Sequence, residues 1–182
     1  MDFDVVFYIA QGISVLNAFV ATFSAQLKNM KTILAAQIIM NLLAAATCFL
    51  LGGFSGVGIS IIAVVQTIVM YFYSMKGKKP HVAVTALFVV VYILNSVITF
   101  SSIFDIFPTL AAVSFALSVA QRSSKAYRLV GIWNPLFWLV YDVYIDAYAN
   151  IVLHSCIFIS MLIACIRLDG FFGLIKKHNG EK

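Results

Sequence analysis

The sequence predicts an all-α integral membrane protein with seven transmembrane helices, and three observations support this. Of its 182 residues, 63% are hydrophobic and 10% are charged, whereas soluble domains are about 45–50% apolar and about 25% charged. The apolar residues form seven runs, most of them near the length of about 20 residues that a spanning helix needs. The basic residues lie between these runs or after the last one.

In chain order, the runs predict three spans, one linking span and three further spans. The first group is Val5–Ser24, Thr32–Leu51 and Val57–Ser74, the linker is Val82–Phe100, and the second group is Ile106–Ala120, Leu129–Ile145 and Ala147–Ile166. The runs are continuous rather than alternating, which indicates helices rather than a barrel. No segment is long or polar enough for a soluble domain, so residues 1–182 are expected to form one membrane domain, with 167–182 as a cytoplasmic tail.

The charges predict the orientation of the chain. With seven spans, every basic residue falls on one face, which the positive-inside rule makes cytoplasmic. The acidic residues of the spans and their connections fall on the other face. The N-terminus is therefore expected outside and the C-terminus in the cytoplasm. The same rule accounts for the pI near 9.2, so we expect no nucleic-acid partner. The basic residues are Lys28 and Lys31; Lys76, Lys78 and Lys79; Arg122, Lys125 and Arg128; and Arg167, Lys176, Lys177 and Lys182.

The two groups of three spans resemble each other, which predicts parallel repeats. The pair Ala25-Gln26 ends the first span as Ala120-Gln121 ends the fifth, and Asn41 in the second span corresponds to Asn134 in the sixth. Three spans reverse the direction of a chain, so a second group can repeat the orientation of the first only if one span is inserted. The linker Val82–Phe100 would be that span, giving a 3+1+3 plan of the kind found in secondary transporters.

Polar side chains within the spans are the candidates for a binding site, because such groups usually face the interior of a bundle or a water-filled cavity. The sixth span is the richest, since Asn134, Trp138 and Tyr141 lie on one helical face. With residues of the second, third and seventh spans they form the predicted substrate site. Aromatic rings and amides are suited to binding a small neutral polar solute. The expected partners are therefore such a solute and the lipid bilayer. The six predicted residues are Asn41, Gln66, Asn134, Trp138, Tyr141 and His154.

Other roles for these residues stay open. Amides within spans often only join neighbouring helices, aromatic residues can belong to an interface belt, and His154 fits binding and packing equally well. Pro135 is expected to kink the sixth span or to act as a hinge, unless that helix starts near Gly131. A non-transporting partner subunit or sensor is the alternative function. The sequence leaves the oligomeric state, including a homo-oligomer, open.

No pattern in the sequence indicates an enzyme, a cofactor or a metal site. Nucleophile-elbow, zinc-protease and nucleotide-binding motifs are absent from the sequence, and we therefore expect no catalytic residues. The three cysteines, Cys48, Cys156 and Cys165, match no metal-binding spacing.

Two features support a resemblance to a known family. One is the AQG tripeptide at residues 10–12, and the other is the pattern W-x(4)-W…I-x(8)-H-x(4)-I that begins at Trp133. With the overall length, they make the chain resemble the YgjV family of bacterial inner membrane proteins. More distantly it is similar to the PQ-loop, SWEET and PnuC-type transporters, which share the 3+1+3 plan. This resemblance implies a location in the bacterial inner membrane.

The distant resemblance also implies facilitated movement of sugars, amino acids or nicotinamide riboside. The chain departs from the PQ-loop pattern because Ala25 and Ala120 stand where that motif has proline. The usual proline kink is therefore not expected at these positions. A small-solute transporter or facilitator of SWEET-like architecture is the function that the sequence favours.

Overall fold

The computed structural model describes residues 3–50, 54–100, 102–144 and 148–169. These residues form helices and no strand, which confirms the predicted all-helical class for the described part of the chain. Residues 170–182, most of the predicted tail, lie outside it. The helices are α1 Phe3–Ser24, α2 Met30–Leu50, α3 Phe54–Met75, α4 Val82–Thr99, α5 Ile106–Val119, α6 Ser124–Gly131, α7 Trp133–Tyr144 and α8 Tyr148–Asp169, with a 3₁₀ turn at Ile103–Asp105 before α5.

Four of the helices, α1, α2, α3 and α8, are long and apolar enough to cross a membrane. Their spanning segments are Val5–Ser24, Met30–Thr47, Val57–Met75 and Ile151–Leu168. Two more segments, Val82–Ile98 and Ile103–Val119, are apolar but shorter. The seven-span count and the orientation therefore stay predictions.

The predicted sixth span, Leu129–Ile145, differs in the structure. Helix α6 begins at Ser124, earlier than predicted, because the Ser123 hydroxyl accepts a hydrogen bond from the Ala126 N–H (3.1 Å) and caps its first turn. The helix then breaks at Ile132, between α6 and α7. Pro135 explains the break, since it has no N–H to donate to the Gly131 carbonyl four residues earlier and its ring would clash with that group.

The helices pack as two halves joined along both edges. In the first half, α2 packs between α1 and α3; in the second half, which comprises α5 to α8, α7 packs between α5 and α8. Helix α1 contacts α8 at one edge. At the other edge α3 contacts α5, and α4 packs against both. The relation of the two halves as repeats stays a prediction.

The halves pack tightly at one end of the bundle, which we call the basic end. It carries the α1–α2, α3–α4 and α5–α6 connections. The largest buried cluster lies there and takes residues from both halves, including Ala25 and Ala120 of the two Ala-Gln pairs. In contrast, residues 38–50 of α2 include no buried side chain among those described. The cluster is Ala25, Met30, Ile33, Leu34, Met70, Val119, Ala120, Tyr127 and Met161.

A group of hydrogen bonds, here called the polar network, joins α6 to the first half at the basic end. Ser124 Oγ donates to the Lys28 carbonyl (2.6 Å), and Arg128 Nη1 donates to the Leu27 carbonyl (2.7 Å). Gln37 Nε2 donates to the Tyr127 hydroxyl (2.6 Å). Arg128 and Tyr127 are each only 2% exposed, so these contacts satisfy groups that would be costly to bury unpaired.

The Tyr127 phenol is neutral at physiological pH. Burial raises its pKa, and the hydrogen bond from Gln37 and the charge of Arg128 oppose this only in part. Helix α6 lies outside the four segments long enough to span a membrane. The hydroxyl therefore keeps its role in the polar network across the physiological pH range.

A second contact joins the halves through α1 and α8. Gln26 Nε2 donates to the carbonyl of Ser160 (2.6 Å), and Ser160 Oγ donates to the Thr22 carbonyl (2.6 Å). Gln121, the counterpart of Gln26 in the second Ala-Gln pair, instead donates to the Leu117 carbonyl of its own helix (2.8 Å). The two glutamines therefore make different contacts.

Replacing Gly131 by alanine is expected to destabilise the protein. A Cβ there would lie 3.1 Å from Met161 Cε and 3.3 Å from Ser118 Cβ, so Met161, Ser118 or α6 itself would have to shift by a few tenths of an ångström. The overpacking should outweigh the better helix propensity of alanine, for a net loss of about 1–2 kcal/mol. The measurement is the thermal midpoint in detergent, with Gly12→Ala as control because a Cβ at Gly12 meets nothing within 4 Å. Equal midpoints for the two variants would contradict the close packing at Gly131.

Replacing Tyr127 by phenylalanine tests the polar network. The change leaves the buried Gln37 amide without its acceptor, and we expect a loss of about 1–3 kcal/mol in unfolding free energy. Adding Gln37→Leu should recover part of that loss, because both polar partners are then removed together. The control is Tyr8→Phe, since Tyr8 is 72% exposed. A Tyr127→Phe protein as stable as the parent would show that this bond does not hold α6 in place.

Candidate functional site

Three of the six predicted site residues meet between α7 and α8. The Trp138 indole stacks on the His154 imidazole, with ring centroids 5.8 Å apart and an interplanar angle of 10°. The Tyr141 ring meets the indole edge-on at 6.1 Å and 74°. All three side chains are partly exposed. We call Trp138, Tyr141 and His154 the aromatic cluster. It combines an aromatic face with a phenol and an imidazole, both of which are groups that can form hydrogen bonds.

Asn134, on the same helix, makes a structural contact. Its Nδ2 donates to the Ala111 carbonyl of α5 (2.8 Å), one turn before Trp138. This bond ties α7 to α5 directly after the break at Ile132. The predicted face of α7 therefore combines a helix-joining amide with aromatic rings.

Gln66 lies between the two halves. It is fully buried, and its Nε2 donates to the Ala116 carbonyl of α5 (3.2 Å). Its Oε1 has no hydrogen-bond partner among the described residues, and neither has the buried hydroxyl of Tyr92 on α4. Tyr92 and Ala116 belong to one small buried cluster with Ala63. These two buried polar oxygens lie at the junction of α3, α4 and α5, where a hydrogen-bonding partner would lower the cost of their burial.

Asn41 donates within its own helix, from Nδ2 to the Gln37 carbonyl (2.8 Å). Gln37, one turn away, makes the bond to the second half instead. The six predicted residues therefore do not form one site: three make up the aromatic cluster, whereas Asn41, Gln66 and Asn134 make separate contacts. The substrate-binding role assigned to them stays a prediction.

A cavity of about 560 Å³ lies at the basic end, and none of the six predicted residues lines it. Its walls come from the α1–α2, α3–α4 and α5–α6 connections and from the helix ends beside them. The lining residues are Lys28, Asn29, Met30, Lys31, Met70, Ser74, Gly77, Lys78, Pro80, Val119, Gln121, Arg122, Ser123 and Ser124.

The sequence contains a signal for this cavity, namely the basic groups of three separate loops. By themselves these groups indicate the orientation of the chain, and the sequence pattern does not show that they surround one space. Gly77 helps to bring them together. Its φ of 63° ends α3 in a left-handed turn that favours glycine, and Lys78 follows directly.

The described residues contain no group of three His, Cys, Asp or Glu side chains placed to hold a metal ion. Cys156 is exposed and Cys165 is buried, and neither forms a disulfide with a described residue. The structure thus offers hydrogen bonding, stacking and a basic cavity as its recognisable chemistry.

Comparison with known proteins identifies the family. Residues 8–170 match the Imp-YgjV family, described as bacterial inner membrane proteins. No curated protein matches the chain. No solved structure matches it either. The match covers nearly the whole chain and confirms the resemblance inferred from the AQG tripeptide and the tryptophan pattern, so the chain belongs to the Imp-YgjV family of bacterial inner membrane proteins.

Proposed function

We propose that this protein is a multi-pass transporter or facilitator for a small neutral polar solute. The observation that carries the proposal is the unequal packing of the two halves. A buried cluster and the polar network join them at the basic end. Towards the opposite end, α2 has only partly or fully exposed side chains among those described. A bundle whose halves are joined by a buried cluster at one end, and whose helix α2 has partly or fully exposed side chains towards the other, is suited to alternating access.

The polar groups between and within the halves support this function. Gln66 bridges α3 and α5 with one oxygen unpaired, and the aromatic cluster remains partly exposed. A neutral solute could form hydrogen bonds with Gln66 and stack on the aromatic cluster. Because intramembrane polar groups are costly, their concentration in the bundle favours a functional role.

The contacts at the basic end provide a way to switch between two arrangements. Each hydrogen bond contributes about 0.5–1.5 kcal/mol net, so a few of them can break and re-form within a conformational cycle of several kcal/mol. The helix break at Ile132 lies next to these contacts and can serve as the hinge between α6 and α7.

The proposed function includes a 3+1+3 arrangement with the N-terminus outside and the C-terminus in the cytoplasm. Reporter fusions test it. Green fluorescent protein at the C-terminus should fluoresce and alkaline phosphatase there should be inactive, whereas phosphatase inserted after residue 53 should be active. The positive-inside rule is the physical reason. An active C-terminal phosphatase would contradict the orientation.

Transport is tested by comparing two tryptophan variants on α7. A thermal-stability screen of the detergent-purified protein first identifies a solute, since ligand at about 100 times its Kd stabilises by about 2.7 kcal/mol. Uptake of that solute into proteoliposomes is then measured. Trp138→Ala should reduce uptake by about tenfold, because stacking on an aromatic ring contributes about 0.5–1.5 kcal/mol in addition to the apolar area it buries. Trp133→Ala is the matched control, since Trp133 is 53% exposed and its ring stacks on Phe137 rather than His154.

Two results would overturn the proposal. Uptake unchanged in Trp138→Ala would remove the aromatic cluster from the solute path. A flat stability screen, together with copurification of another membrane protein, would favour the partner-subunit or sensor alternative.

A further inference from the structure

Among the described residues, four cationic side chains and no acidic one line the cavity at the basic end. Lys28 and Lys31 flank the start of α2, Lys78 follows α3, and Arg122 precedes α6. None of the four forms a salt bridge with a described residue. Like charges around one space repel each other and create a positive potential within it. An anion bound there would relieve that repulsion.

The shape of the cavity goes beyond what membrane orientation requires. The positive-inside rule requires only that basic residues lie in the cytoplasmic loops. Loops that form a flat surface would meet this requirement. Here the cavity of about 560 Å³ falls within the range of small-ligand sites, about 300–1,000 Å³. Its floor is formed by Met30, Met70 and Val119, which are 6%, 2% and 1% exposed and belong to the buried cluster. The cations are exposed, so they surround an apolar base.

Helix dipoles do not decide which ligand fits. The N-terminal ends of α2 and α6 border the cavity and favour an anion, but the C-terminal ends of α3 and α5 border it too. These partial charges largely oppose each other. Four full positive charges therefore determine the electrostatic preference.

We propose that this cavity binds a phosphate-bearing anion. A guanidinium forms paired hydrogen bonds with phosphate oxygens, and lysine ammonium groups neutralise its charge. The phosphate could belong to a soluble compound or to the headgroup of an anionic lipid, since the chemistry is the same. Residues 170–182 carry three lysines and one glutamate, so the net charge of that segment is positive as well.

Binding would also stabilise the closed arrangement of the basic end. The lysines come from the first half and the α3–α4 connection, whereas Arg122 comes from the second half. An anion that contacts the lysines and Arg122 would join the two halves next to the polar network. The site does not depend on the proposed transport, and its binding can be measured without a transport assay.

The experiment compares two double variants with the same loss of charge. The full chain in neutral detergent is titrated with pyrophosphate at constant ionic strength, set with chloride. Calorimetry gives the affinity, and the thermal midpoint gives the stabilisation. In a parallel arm, mixed micelles of phosphatidylglycerol are compared with those of phosphatidylcholine. Lys78→Gln with Arg122→Gln removes two cavity charges, and Lys76→Gln with Lys79→Gln removes two charges from the α3–α4 connection that do not line the cavity.

We expect saturable binding that the cavity variant weakens by about tenfold or more and the control variant by less than about twofold. Binding of pyrophosphate indicates a soluble ligand, and binding of phosphatidylglycerol alone indicates a lipid headgroup. The ligand-free cavity variant should have a thermal midpoint at or above that of the parent, because repulsion is reduced. No saturable binding in either arm, or equal weakening in both variants, would overturn the proposal.

Discussion

Burial of Arg128 and Tyr127 at the junction of the two halves is the constraint on which the rest of the structure depends. A guanidinium and a phenol removed from water must find partners. Leu27 supplies a carbonyl and Gln37 an amide, and both belong to the first half. Helix α6 is thereby fixed against the α1–α2 connection. The buried cluster around these groups then closes the basic end.

The short helix α6 follows from this constraint and from Pro135. A continuous helix through residues 124–144 would keep one direction along the bundle. The break at Ile132 separates α7, which packs between α5 and α8, from α6, which packs against the same two helices and also contacts α2 of the first half. Gly131 makes the turn compatible with close packing, since a side chain there would meet Met161 and Ser118.

The polar residues of the spans divide according to what their helices contact. Trp138, Tyr141 and His154 come together because α7 and α8 pack side by side, and their helical spacing already placed two of them on one face. Asn41 and Asn134 correspond to each other in the predicted repeat, but they make different hydrogen bonds. Asn41 donates within its own helix, and Asn134 donates to the neighbouring helix α5. Spacing defines a face, but only the neighbouring helices decide whether an amide on that face joins helices or remains available to a solute.

The sequence by itself determined the helical class, the family and most helix boundaries. Long apolar runs, helix-breaking residues between them and the segregation of charge are local properties, and each acts over about one helix length. The tertiary structure decided which of these features meet. Gln37 became the partner of Tyr127, although 90 residues separate them. Basic residues from three loops surround one cavity. Contacts between distant parts of the chain depend on how whole helices pack, and no local pattern in a single sequence specifies that arrangement.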